Sequence, residues 1–200
     1  MVLDELRIKM TSEEINALPL VHYTGPIVVV RSDHELNQAL RDIRQEPILG
    51  FDTETRPSFR KGRTNLPSLI QLATETKVYL VQLGRLALDG RLAAVLANPG
   101  QLKVGVGVDE DMRELVQLFQ FHPAGQFDLG HVARSHGIWS EGLRSLTANF
   151  FHERISKGPQ CSNWSLPTLS PRQVVYAATD AWIGRRIYLR MRELGLVGGE

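Results

Sequence analysis

"ILGFDTET", residues 48–55, begins as the apolar run of a buried strand and ends with two carboxylates, Asp52 and Glu54, two residues apart. Side chains alternate faces along a strand, so the two acids share one face, roughly 7 Å apart at the backbone. Phe51, Thr53 and Thr55 take the other face. Two acids on one face near a sheet centre repel each other, and desolvation disfavours both charged forms. Arginine partners against both would make the pair structural. A divalent cation between them would make it functional, since Mg²⁺ and Mn²⁺ take hard oxygen ligands. D-x-E on a strand is common, so the choice between the two rests on the rest of the chain.

Outward from this strand, short runs of branched apolar residues alternate with helical patterns. "PIVVV" (26–30) reads as a strand, and Ser32 with Glu35 three residues later starts a helix through "ELNQALRDI". "SLIQLAT" (68–74) and "VYLVQL" (78–83) read as strands joined tightly by Glu75-Thr76-Lys77. A helix is predicted over 87–96, a strand over "LKVGVG" (102–107) and a helix over "DMRELVQLF" (111–119). "FDLGHVARSHG" and "LRSLTANFF" are short helical candidates, followed by an irregular loop at 156–169. The last helix has a clear start, with Ser170 as cap, Pro171 in the first turn and Gln173 three after the cap, and should run to about Glu193. Residues 1–26 read as an arm in which Thr11-Ser12-Glu13-Glu14 opens one short helix, and 27–196 as the main domain. Early strands with interleaved and then dominant helices predict an α/β layer fold around one mixed sheet.

At 200 residues, 42% hydrophobic and 22% charged, the composition is that of an ordinary soluble domain. No apolar stretch approaches the ~18 residues of a membrane span, and the amino terminus lacks the apolar centre of a signal peptide. One cysteine, Cys161, excludes a disulfide framework and is expected to be an incidental buried thiol. The expected location is cytoplasmic, with no membrane association. A net charge of +1 argues against a uniformly basic nucleic-acid binder. Yet no acid occurs between Glu54 and Glu75, where "RPSFRKGR" (56–63) places Arg56, Arg60, Lys61 and Arg63 in one loop. Such a loop is either a solvated surface or a phosphate contact.

Two further clusters bear on the choice. "VVYAATDAW" (174–182) is apolar around nearly its whole circumference, with Asp180 its only charge. A lone buried carboxylate is costly unless it is paired or binds a metal. Tyr176 lies one turn earlier on the same helical face; the bland alternative is a core tyrosine beside an aspartate that caps nearby backbone. Asp109-Glu110-Asp111 follows "KVGVGV" at a strand-to-helix junction, where acids already complement the helix dipole. "GVGVDE" is a poor dinucleotide fingerprint, since its third glycine is missing.

Taken together, D-x-E on a strand, an Asp after G-V-G at a strand end and Y-x-x-x-D on a late helix resemble the DEDD 3′–5′ exonucleases of the tyrosine subclass. "PSLIQLAT", "VGVG", "CSNWS" and "YAATDA" resemble the ribonuclease D-like branch. The resemblance covers about 27–193. It implies a ribonuclease H-like mixed sheet with helices on both sides. It makes Asp52, Glu54, Asp111 and Asp180 the ligands of two divalent cations, Mg²⁺ or Mn²⁺, with Tyr176 beside the attacking water. Asp111 rather than Asp109 takes the family's position four after the second glycine. The implied activity is removal of nucleoside 5′-monophosphates from the 3′ end of DNA or RNA; the alternative is a catalytically silent nucleic-acid-binding module. Ending after this region, the chain is expected to carry none of the helicase or extra helical domains of longer relatives.

Around this centre, Arg60, Lys61 and Arg63, with Phe59 among them, are candidates to hold a single strand by phosphate contact and stacking. Trp164, in "SNWS", either shapes the substrate mouth or anchors the core.

Overall fold

The computed structural model describes residues 2–58, 65–87 and 89–198. β2 (Ile48–Thr55) lies inside a six-stranded sheet with β1 (Ile27–Val30), β3 (Pro67–Ala73), β4 (Val78–Gln82), β5 (Leu102–Gly105) and β6 (Gln126–Asp128). The order is β1-β4-β3-β2-β5-β6. β2, β3 and β4 form an antiparallel meander, whose two-residue periodicity places Asp52 opposite Gln71. β1 joins β4 in parallel, and β5 and β6 extend the β2 edge in parallel.

Helices cover both faces of this mixed sheet, the α/β architecture that the sequence predicts. On one face α3 (Asp33–Ile43), α4 (Gly90–Leu96) and α5 (Val108–Val116) bury Leu36, Leu40, Leu92, Met112 and Leu115 against Leu49, Phe51, Ile70 and Leu72. On the other lie α6 (Leu129–Ser135), α7 (Leu143–Phe151) and the 23-residue α8 (Pro171–Glu193). Ser170 and Gln173 form the expected capping box of α8. Its small residues Ala177, Ala178 and Ala181 rest on Leu69, Ala73, Val78 and Leu80. The approach is unusually close at Gly50, where an added Cβ would lie 2.0 Å from the Ala181 carbonyl oxygen. Only glycine fits between helix and sheet there.

Several elements differ from the sequence expectation, among them a second helix in the arm. α5 starts at Val108 instead of 111, because Gly107, at φ 77°, adopts the left-handed conformation that turns β5 into the helix. The sequence predicts a helix from Phe127; instead Phe127 and Asp128, with Gln126, are drawn into the sheet by pairing with β5, and Asp128 then caps α6 by accepting from the His131 N–H at 3.0 Å. α4 starts at Gly90 because Asp89 caps it, accepting from the Arg91 N–H.

The arm holds two short helices, α1 (Val2–Leu6) and α2 (Ser12–Ala17), and it is bound down. Leu6 and Ile15 are buried. The buried Asn149 of α7 donates to the carbonyls of Leu6 (2.8 Å) and Ile8 (3.2 Å). Arg144 donates to Asn16, Arg154 donates to the Leu18 carbonyl, and Leu20 pairs with Arg154 in a parallel bridge.

Candidate active site

Asp52 and Glu54 project from β2 toward α8, the face on which Gly50 meets Ala181. One residue before that contact, Asp180 points back at the strand. The close approach of helix to sheet therefore brings carboxylates 126 residues apart in sequence into one cluster. Asp52, Glu54 and Asp180 each offer an oxygen within 4.8 Å of the others. Glu54 and Asp180 are buried, and Asp180 Oδ1 has no hydrogen-bond partner. A buried carboxylate oxygen without a donor is costly in a folded protein. A hard divalent cation would satisfy it, and three convergent carboxylates are the donor set that Mg²⁺ or Mn²⁺ takes.

Asp111 enters from the other face of β2. Its Oδ1 accepts from the Thr53 hydroxyl at 2.7 Å, so it stands beside the cluster rather than inside the 4.8 Å group. Its two acidic neighbours are engaged elsewhere: Asp109 accepts from Gln126 and Glu110 pairs with Arg113.

Burial and mutual repulsion hold protons on these groups. Burial, then the charge of Asp180, raises Asp52 well above the usual carboxylate range. Glu54 is pushed up to about 10 by burial, then by Asp52 and Asp180. Burial, then Asp52, raises Asp111 to about 8, and burial raises Asp180 to about 7. Asp52 is thus electrically linked both to Asp180 and to Asp111. Burial, and after it the charge of Asp180, pushes the Tyr176 phenol well above its ordinary range. Such clustered shifts mark functional sites more often than structural ones.

Residues 27–195 match the family described as 3′–5′ exonuclease. The chain belongs to the 3′–5′ exonuclease family. It is 34% identical over 181 residues to mouse exonuclease 3′-5′ domain-containing protein 2, covering 82% of this chain and 28% of that protein. It is 30% identical over 190 residues to the mouse bifunctional 3′-5′ exonuclease/ATP-dependent helicase WRN, covering 89% of this chain and 13% of that one. The chain therefore spans well under a third of these curated relatives. Among solved structures, the EXO domain of Aedes aegypti Nibbler superposes with a TM-score of 0.75 at 24% identity, over 84% of this chain and 88% of that domain, a likeness of fold. The fold is the ribonuclease H-like one of these exonucleases.

Within this exonuclease framework Trp164 settles as a core residue. It is 0% exposed, and its ring lies 6.0 Å from that of Tyr176. Its indole packs beside the Tyr176 ring, and its Nε1–H donates to the Gln160 carbonyl. The loop before α8 is fastened by Gln173, whose amide donates to the Ser162 hydroxyl and the Asn163 carbonyl. Cys161, expected to be buried, is exposed in a short 3₁₀ turn. Phe59, Arg60, Lys61 and Arg63 lie outside the described residues.

Sequence reasoning missed three contributors. Thr53, assigned only to the far face, holds Asp111. Gln71, cross-strand from Asp52, is fully buried with neither amide atom hydrogen-bonded. Its signal was available as one polar side chain on the apolar face shared by Leu69 and Ala73. The arm is the third: Lys9, Met10 and Ser12 line the cleft that contains the carboxylates.

Proposed function

We propose that the protein hydrolyses phosphodiester bonds one nucleotide at a time from the 3′ end of single-stranded DNA or RNA, releasing nucleoside 5′-monophosphates. The observation that carries this is the convergence of Asp52, Glu54 and Asp180 oxygens within 4.8 Å, from β2 and α8, in an open cleft. Such a donor set would hold Mg²⁺ or Mn²⁺, which when bound would supply charge stabilisation for the attacking and leaving oxygens of an in-line displacement.

The protein's own groups divide the remaining work. Asp52, close to both Asp180 and Asp111, would be a ligand common to both ions. Glu54 and Asp180 would be further ligands on its side of the centre, and Asp111, held by Thr53, would supply a ligand to the second ion. Without ions, burial and then the charge of Asp180 disfavour the Tyr176 phenolate. Its hydroxyl, one helical turn from Asp180, would orient the attacking water. Trp164 packs beside the ring. Nucleic acid is the substrate class that the family shares. Among the described residues no helix is long and apolar enough to cross a membrane.

The test uses single-stranded DNA and RNA labelled at the 5′ or the 3′ end, with Mg²⁺, Mn²⁺ or EDTA. A ladder shortening from the 3′ end with either ion, and none in EDTA, is expected. Binding without shortening in either ion would mark a silent module, and degradation in EDTA would reject the metal-dependent chemistry.

A further inference from the structure

The cleft over the carboxylates, roughly 630 Å³, has a wall that the family match does not include. That match begins at residue 27, whereas Lys9, Met10, Ser12 and Ile15 close one side of the cleft. A second cavity of roughly 800 Å³ shares Ser156, Tyr176 and Asp180 with the first, and it too is lined by the arm, through Leu20, Val21 and His22. The arm thus flanks both cavities where they meet at the reacting centre.

One of its side chains, Lys9, complements the charge of the centre. The carboxylates at the floor attract cations and repel phosphates. At the rim stand Lys9 from the arm and Lys157 from the loop after α7, both exposed and lining the same cleft. Neither makes an ion pair or side-chain hydrogen bond among the described residues. The third rim cation, Arg144, is already committed to Asn16 and the Ile155 carbonyl, tying arm to domain. Lys9 follows directly on Ile8, whose carbonyl is clamped by Asn149, so its backbone is placed before any ligand arrives. Binding groups held in position in advance lose less conformational freedom on association.

We propose that the N-terminal arm is a substrate-binding wall, in which Lys9, together with Lys157, grips backbone phosphates of a single-stranded polynucleotide running past the cleavage site. This rests on the nuclease function proposed above. Carboxylates with their ions serve the scissile phosphate alone; the neighbouring phosphates of the strand need separate cations, and the arm supplies one of them.

The experiment measures binding of a fluorescent deoxythymidine decanucleotide by anisotropy in Ca²⁺ across a salt series, using the full chain. Exposed lysines are replaceable without disturbing the fold, and circular dichroism checks this. The Lys9→Ala/Lys157→Ala protein is expected to bind about tenfold more weakly, with a log–log salt slope reduced by about 1.4, the loss of two single-strand phosphate contacts at ~0.7 each. Lys9→Arg/Lys157→Arg should restore both affinity and slope. An affinity and slope equal to those of the unaltered protein overturn the proposal. Hydrolysis of the p-nitrophenyl ester of thymidine 5′-monophosphate by the unaltered protein, in Mn²⁺, is read separately. Its absence counts against the nuclease function, whereas the anisotropy result decides the arm.

Discussion

At the scale of single residues, the site sets repulsion against ligation. Asp180→Asn removes one of three mutually repelling carboxylates, two of them buried, and with it a proposed metal ligand. The metal-free protein should be at least as stable as the original, while losing most of the rise in Tm that Mn²⁺ confers, together with its activity; thermal melts with and without Mn²⁺ measure both. Tyr176→Phe keeps the ring against Trp164 and deletes only the hydroxyl. It also removes the hydrogen bond between the phenol and Asp180, so Tm and metal affinity should shift slightly, while kcat falls by ~10²-fold with KM little changed. An unaltered kcat would make Tyr176 a packing residue. The same carboxylates give a pH signature. Unfolded, they titrate near pH ~4; folded, Asp180 lies at about 7, Asp111 at about 8 and Glu54 at about 10. The native state therefore holds protons that the unfolded chain has released, so this contribution to stability is complete below ~4 and is lost as pH rises through the folded values. In EDTA, Tm should fall more steeply from mildly acidic to mildly alkaline pH in the original protein than in Glu54→Gln, and Mn²⁺ should flatten the difference.

Among elements, the contact of α8 with β2 decides the geometry. Gly50→Ala inserts a methyl group where 2.0 Å is free to a backbone oxygen, so helix or strand must move. A loss of about 1–3 kcal/mol or more is expected, as for overpacking elsewhere, with a matching fall in Mn²⁺ affinity. Gly84→Ala, whose added carbon meets nothing within 4 Å, is the control. If Gly50→Ala binds Mn²⁺ normally, the close approach does not set the site. This helix was legible in the chain: Ser170, Pro171 and Gln173 announce its start, and a lone aspartate in an apolar run announces its burial. β2 was legible for the same reason, since alternation alone assigns Asp52 and Glu54 to one face. β6 was not. Gln126-Phe127-Asp128 is too short to carry a periodic signal, and it is a strand only because β5 offers an open edge. The beginning of α5 is hidden in the sequence, because Gly107 continues the alternating pattern of the strand while its left-handed backbone starts the helix. Which carboxylates would meet was readable through the family resemblance; that Thr53 would hold Asp111 from the opposite face depends on how α5 lies across β2.

Across the whole molecule, the arm is the part that local sequence could not place. Its anchors, Asn149 and Arg154, stand more than 130 residues away from Leu6 and Leu18, and no periodicity links them. Asn149→Ala strands two carbonyls, one of them in a buried contact, at about 1–3 kcal/mol of unmet hydrogen bonding. Brief native-state proteolysis should then clip the arm of the variant while the sheet and α8 stay intact. Equal resistance in both proteins would show that Leu6 and Ile15 hold the arm without Asn149.

The route by which Asp180 reaches Asp52 has a consequence for the order of events during synthesis. Domains form largely as units while the chain is being made, and α8 is the last element of this one to emerge from the ribosome. Until it docks, β2 carries Asp52 and Glu54 without the third ligand, and Tyr176 is absent altogether. A nascent chain, surrounded at that moment by ribosomal and messenger RNA, holds an incomplete centre. With the nuclease function proposed above, the centre would become competent only when α8 docks on β2.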